Sequence, residues 1–208
     1  MNARISSVRL AVLVADGVSP FPFEKVVSEI VAGGADCIQL REKKLADSVL
    51  LQRARLCRDL ARDIIFIVND RSEIALLSGA DGVHVGRGDL PIAAAREILG
   101  PESIVGASAY NLQELLAAQA AGADYLGIGA VFHTGTKGAP VTGLPLVRAA
   151  AKYSKLPFLA IGGINHDNVL SVIDAGAKAV AVCSCILTSH DPRSATRRLK
   201  DTLLAAVP

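Results

Sequence analysis

Short, nearly unbroken apolar runs alternate along this chain with longer stretches in which apolar residues recur at helical spacing. Four of the runs are introduced by the same step. Gly34-Ala35-Asp36 precedes CIQL, Gly79-Ala80-Asp81 precedes GVHV, Gly122-Ala123-Asp124 precedes YLGI, and Gly176-Ala177-Lys178 precedes AVAV. In each, a glycine closes a helical stretch, as suits the left-handed turn beyond a helix C-terminus. Four further runs, LAVLVA, IIFIV, SIVGAS and FLAIGGI, fall between these. The pattern predicts strands near 8–14, 36–41, 64–69, 82–86, 103–108, 124–130, 157–162 and 178–183. Helices are predicted near 23–32, 46–62, 71–78, 91–99, 112–121, 144–154, 167–175 and 192–206. Regular alternation of strand and helix implies a parallel sheet. Eight such units in 208 residues imply an α/β fold, a single-domain (β/α)8 TIM barrel spanning 1–208. Functional residues are then expected at the C-terminal ends of the strands.

Composition narrows the picture further. Half the residues are hydrophobic, matching strands buried on both faces, and no linker or low-complexity tract divides the chain. A net charge of +2, with charges dispersed, gives no footprint for nucleic acid, and the absence of Trp removes the best stacking platform. The run from Val8 to Ala15 is too short to span a bilayer and contains Arg9, so a cytoplasmic protein without a membrane partner is expected. Cys37, Cys183 and Cys185 fall in predicted strands, the latter two on one strand face, and Cys57 in a helix. All four read as small buried apolar residues rather than disulfide partners or metal ligands. The sequence leaves a homo-oligomer open.

The polar residues at the predicted strand ends form several groups. Gln39, Arg41 and Lys43 alternate along the end of strand two and project to one face while the chain stays extended. Two cations and an amide aimed into a barrel mouth suit an anionic ligand, although a strand end that simply meets water has the same composition. Asp70 after strand three and Asp89 after strand four could share a hard cation such as Mg²⁺, which takes one or two carboxylates and completes its shell with water and phosphate oxygens. Taken singly, each reads first as a cap on the helix that follows, Asp89 standing just before Leu90-Pro91. Ser108 ends strand five and is compatible with either a ligand or a cap.

The loop after strand six, running through Thr134-Gly135-Thr136-Lys137, offers two hydroxyls, a lysine and close backbone approach at glycine. Gly162-Gly163 follows strand seven, and Cys183-Ser184 ends strand eight. The loops after strands seven and eight commonly hold a phosphate in such barrels. This is the strongest physical pointer to an anion.

Together these residues resemble a known family. Gln39-Leu40-Arg41-Glu42-Lys43, Asn69-Asp70-Arg71, Asp81-Gly82-Val83-His84-Val85-Gly86 with Asp89, Gly106-Ala107-Ser108, Thr134-Gly135-Thr136-Lys137 and Ile161-Gly162-Gly163-Ile164 resemble, in order and spacing, the thiamine-phosphate synthase family. The resemblance implies a transferase with small-molecule substrates. Gln39, Leu40, Arg41, Glu42, Lys43, Asn69, Ser108 and Lys137 would hold 4-amino-2-methyl-5-hydroxymethylpyrimidine diphosphate, with Mg²⁺ on Asp70 and Asp89. Thr134, Gly135, Thr136, Gly163, Cys183 and Ser184 would bind the thiazole phosphate. Arg41, Lys43, Ser108 and Lys137 are the implied catalytic group, stabilising diphosphate as it leaves a pyrimidine methylene cation.

Three positions depart from the family pattern. Ala130 and His133 stand where proline is usual, and Ala15 stands where threonine often precedes Asp16. The related thiazole tautomerase family is the nearest rival. It lacks the aspartate pair and carries a catalytic histidine at the position of Ala130. An inactive phosphate-binding regulatory barrel is the rival of a different class. His84, in a predicted strand, reads as a satisfied core residue.

Overall fold

A computed structural model of the chain describes residues 3–15, 17–134 and 140–206. The apolar runs become eight short strands: β1 (Leu10–Val14), β2 (Cys37–Leu40), β3 (Ile65–Asn69), β4 (Gly82–Val85), β5 (Ile104–Ala109), β6 (Tyr125–Ile128), β7 (Phe158–Ile161) and β8 (Val180–Val182). They pair in chain order, all parallel, and β8 returns to β1 to close a barrel. Closure leaves no sheet edge among these strands.

Side-chain alternation explains why the strands read as continuous apolar runs. Leu10, Val12 and Val14 of β1 face the surrounding helices, whereas Ala11 and Leu13 face the barrel interior. Both environments are dry, so no polar alternation survives in the sequence. The helices α1 (Ala3–Ser6), α2 (Phe23–Ala32), α3 (Asp47–Leu60), α4 (Ser72–Ser78), α5 (Ile92–Leu99), α6 (Leu112–Ala120), α7 (Gly143–Tyr153), α8 (Val169–Asp174), α9 (Ser184–Leu187) and α10 (Pro192–Ala206) cover the barrel.

β2, β4 and β6 coincide with their apolar runs, β3 and β5 are shifted one residue toward the C-terminus, and β1, β7 and β8 are shorter than theirs. Two short helices, α1 and α9, were not expected. Cys185 accordingly lies in α9 rather than on a strand face with Cys183, which immediately precedes that helix. The four cysteines are free thiols, and Cys37 and Cys57 are fully buried. Among the described residues no helix is long and apolar enough to cross a membrane.

The repeated glycine step has a precise structural meaning. Gly34, Gly79, Gly122 and Gly176 all take positive φ, between +69° and +100°. The acid that follows works at the N-terminal end of the barrel. Asp36, before β2, accepts the N–H of Leu10 in β1 at 2.9 Å while its own N–H donates to the Leu10 carbonyl. Asp81 does the same to Phe66 in β3 at 2.8 Å, and Asp124 to Val105 in β5 at 2.9 Å. A cation from the helix layer completes each latch: Lys200 of α10 on Asp36, Arg58 of α3 on Asp81 at 2.7 Å, and Arg96 of α5 on Asp124 at 2.6 Å. Three quarters of the barrel are therefore pinned by one device, a charge-assisted bond from strand start to neighbouring strand to helix.

Burial alone would raise the Asp81 pKa, but the Phe66 N–H together with Arg4 and Arg58 holds its carboxyl below the usual value. Its contribution to stability is thus complete above the unfolded-state value of about 3.9 and is lost as pH falls through the lower folded value. Asp81→Ala removes the acceptor and leaves two arginines without their acid, which should cost about 3 kcal/mol in equilibrium urea unfolding. Asp81→Asn keeps an amide oxygen for Phe66 and should cost less, about 1–2 kcal/mol. Both variants should flatten the acid limb of the stability–pH curve.

Candidate active site

The C-terminal ends of the strands surround a cavity whose empty volume, open mouth included, is about 930 Å³. Such a volume suits one or two small ligands. Its walls bring together Gln39, Arg41, Asn69, Ser108, Thr134, Gly163, Cys183 and Ser184. These residues come from six different strands and their loops, so only barrel closure makes them neighbours.

One half of the mouth is charged. Gln39, almost fully buried, donates from Nε2 to Asn69 Oδ1 at 2.9 Å, which fixes both amides at the ends of β2 and β3. Asp70 follows in a left-handed conformation, φ +67°, one that Asp tolerates better than most residues, with its N–H donating to the His84 carbonyl at 2.8 Å. Lys43 Nζ lies 3.2 Å from Asp70 Oδ2. Burial raises the Asp70 pKa, the adjacent Asp89 carboxylate raises it further, and Lys43 opposes both. Asp89 is itself anchored by the Gly86 N–H at 2.7 Å.

Two carboxylates this close repel unless a proton or a cation lies between them. They are hard oxygen donors with nothing softer beside them, a set that fits a divalent cation completed by water and phosphate oxygens. The set has two acids only; among the described residues no cluster of three or more His, Cys, Asp or Glu could hold a metal. Lys43, Asp70 and Asp89 do not themselves line the cavity wall; Asp70 follows Asn69, which does.

The other half is uncharged and glycine-rich. Gly162 and Gly163 take φ of +103° and +65°. A Cβ on Gly163 would come within 2.5 Å of the His133 carbonyl oxygen and 2.8 Å of Phe132 Cβ, so the β7 loop can lie against the β6 loop only without a side chain there. The contact is reinforced by Val131 N–H to Ile161 O and Phe132 N–H to Gly162 O, each 2.9 Å. Thr134 and Ser184 contribute hydroxyls to the wall, and Ser184 opens α9. Burial pushes the Cys183 thiol up to about 11 against the pull of Arg41, so Cys183 is a small neutral surface that lies within the field of Arg41.

The floor holds groups that the sequence did not mark as functional. His84 is buried, with Nδ1 at 3.0 Å from the Tyr125 hydroxyl and Nε2 at 2.9 Å from Ser108 Oγ. Burial holds the Tyr125 phenol well above its ordinary range, so it stays protonated. Either the phenol donates to Nδ1 and Nε2–H donates to Ser108, or Ser108 donates to Nε2 and Nδ1–H donates to the phenol oxygen. Both tautomers fix Ser108 Oγ at the cavity floor. The expectation that His84 is a satisfied buried histidine holds, but its partner lines the cavity.

The available signal was glycine inside a strand. A Cβ on Gly127 would sit 2.9 Å from His84 Cε1, and one on Gly106 would sit 2.2 Å from the Tyr125 ring. Two inward-facing glycines thus make room for two inward-facing rings. Tyr110 also lines the cavity, with Arg87 5.0 Å above its ring centroid.

Not every expected residue turns toward the mouth. Leu40 is fully buried in the layer between barrel and helices, leaving only its main chain for a ligand. Glu42 is held at 3.2 Å by Arg53 of α3, which also stacks on Phe23. Gly135, Thr136 and Lys137, like Asp16, lie outside the described residues. Ala130 lies on the cavity wall, whereas His133 is exposed and does not line the cavity.

Known proteins are similar to this chain in sequence and in fold. A family model described as thiamine monophosphate synthase matches residues 11–186. A thiamine-phosphate synthase of Moorella thermoacetica is 46% identical over 190 residues, covering 89% of this chain and 90% of that protein. One from Shouchella clausii is 43% identical over 180 residues, covering 84% and 86%. Among solved structures, a thiamine phosphate pyrophosphorylase from Pyrococcus furiosus superimposes with a TM-score of 0.92 at 38% identity, each chain covered in full. A 3-hexulose-6-phosphate synthase, at 18% identity and a TM-score of 0.65, shares the fold alone.

Gly163→Ala is the sharpest test of the uncharged half. The left-handed φ and the 2.5 Å contact should together cost about 2 kcal/mol or more of stability, read by urea unfolding. The fraction that remains folded should lose affinity for phosphate monoesters.

Proposed function

The chain belongs to the thiamine monophosphate synthase family, and from that premise we propose that it is a Mg²⁺-dependent transferase. It would join 4-amino-2-methyl-5-hydroxymethylpyrimidine diphosphate to 4-methyl-5-(2-phosphoethyl)thiazole, or its carboxylate, releasing diphosphate and thiamine phosphate. The observation that carries the reading is the division of one cavity into a cationic, carboxylate-flanked half and a neutral, glycine-rich half. Two anionic substrates need two such docking regions facing a common floor.

The roles follow from charge and position. Asp70 and Asp89 would hold the metal, which supplies positive charge to the diphosphate oxygens. Arg41 and Lys43 add to that field as negative charge grows on the departing group, and Lys137 is assigned the same work from its place in the family motif. Gln39 and Asn69, locked to each other, would orient the pyrimidine diphosphate. Ser108, held by His84, presents its hydroxyl from the floor. Gly163, Thr134 and Ser184, with Gly135, Thr136 and Cys183, would seat the thiazole phosphate so that its ring nitrogen faces the pyrimidine methylene carbon. The C–O bond to diphosphate breaks, the aminopyrimidine delocalises the positive charge, and the thiazole nitrogen supplies the electron pair for the new C–N bond. No side chain forms a covalent intermediate.

The tautomerase alternative is disfavoured by Ala130. A methyl group occupies the wall position where that chemistry needs an imidazole, and His133 does not line the cavity.

The test mixes both substrates with Mg²⁺ and follows thiamine phosphate by fluorescence after oxidation. Product should form, should disappear with EDTA, and should return with added Mg²⁺. Asp70→Ala should abolish it, while Arg41→Ala should lower kcat by about 10²–10³-fold. Folded protein that binds the thiazole phosphate yet yields no product would sink the reading.

A further inference from the structure

The latch at the N-terminal end of the barrel is built three times and is missing the fourth time, and a second cavity opens where it is missing. In the fourth repeat Lys178 replaces the aspartate, and by the β7–β8 register it stands beside Phe158 as Asp36 stands beside Leu10. The helix partner is missing as well. Arg58 lies seven residues before the start of β3 and Arg96 eight before β5; the same offsets before β7 give Ala151 and Ala150. Both alanines line the second cavity, whose empty volume with its open mouth is about 1050 Å³.

The loss of acid and bulk together changes the chemistry of this corner. Arg9, Lys155 and Lys178 line the cavity, and no carboxylate does so among the described residues. The Arg9 guanidinium donates to the Ser6 and Val8 carbonyls at 3.4 and 3.3 Å, and no acid among the described residues pairs with Lys155 or Lys178. At the three intact corners, by contrast, every cation meets its aspartate. The inner wall is apolar, formed by Phe158, Leu159 and Tyr125. Tyr125 and Leu159 also line the catalytic cavity, so the two spaces share a wall.

We propose that this cavity is a binding site for a small organic anion, with its acidic head between Arg9, Lys155 and Lys178 and its apolar body against Phe158, Leu159 and Tyr125. Three cations lining one cavity, with no carboxylate on its wall among the described residues, raise the local concentration of anions, and the apolar wall selects those with a hydrophobic body.

Phenyl phosphate and inorganic phosphate are suitable probes, followed on the whole chain by amide proton–nitrogen NMR. Phenyl phosphate should shift the amides of Leu156, Phe158 and Lys178 saturably, and more tightly than inorganic phosphate does. Lys178→Asp, which restores the repeat, should weaken the response at these amides about tenfold or more and leave the response at Gly163 and Ser184 intact. Lys155→Ala, in an exposed loop, should weaken it in the same direction and guards against a folding defect in the first variant. Saturable shifts confined to Gly163 and Ser184, or shifts at Leu156 and Phe158 that neither variant alters, would overturn the proposal.

Discussion

Strand register is the constraint on which everything else in this molecule depends. A slip of one residue in any strand would exchange the barrel interior for the helix layer, and every side chain at the mouth would change sides. Parallel strands of three to six residues carry few hydrogen bonds with which to resist such a slip. The aspartates at 36, 81 and 124 resist it from outside the strands. Each binds one neighbouring residue through both its amide and its carboxylate, with Asp36 accepting the Arg9 N–H as well, and this double attachment opposes a slip at that point. The helix cations extend the constraint to the next layer. Register is therefore decided at the N-terminal end of the barrel, and the C-terminal end, where the first cavity opens, is left free to carry strained and polar residues.

That freedom is used in three ways at the mouth. Positive φ at Asp70, Gly162 and Gly163 bends the chain sharply just beyond the strands. Like charges are brought together at Asp70 and Asp89, with Lys43 as partial compensation. Polar side chains are then locked by other polar side chains, Gln39 by Asn69 and Ser108 by His84, so that the groups facing a ligand have little freedom left to lose on binding. Arg41, on the cavity wall, is near enough to Cys183 to influence it electrostatically.

The fold was legible because its information is local and repeated. Alternation of apolar runs with helical stretches and the fourfold glycine step required no knowledge of distant contacts. The site was legible in part. Residues at strand ends, such as Arg41, Asn69, Ser108 and Gly163, are placed by the fold itself once the strands are known. Orientation was less accessible: Leu40 turns into the helix layer and Glu42 is drawn to Arg53, and both outcomes depend on neighbours from other elements. The repeated aspartates were visible as a pattern, yet their work as latches was not, since their partners lie on the preceding strand and on helices up to 164 residues away. His84 and Tyr125 were hidden for a related reason. A buried ring in a strand has the same sequence signature whether it fills space or positions a hydroxyl.

The fit between Gly127 and His84 bears on how such a barrel changes over generations. The imidazole occupies the space that a side chain at residue 127 would need, so the two positions share one allotment of interior volume. A lineage that gains a methyl group at 127 first displaces the ring and loosens Ser108, while one that first shrinks His84 leaves a void over a bare glycine. Neither intermediate is neutral. The volume at residue 127 and the ring at residue 84 are thus one shared constraint, and a change at either is felt at Ser108.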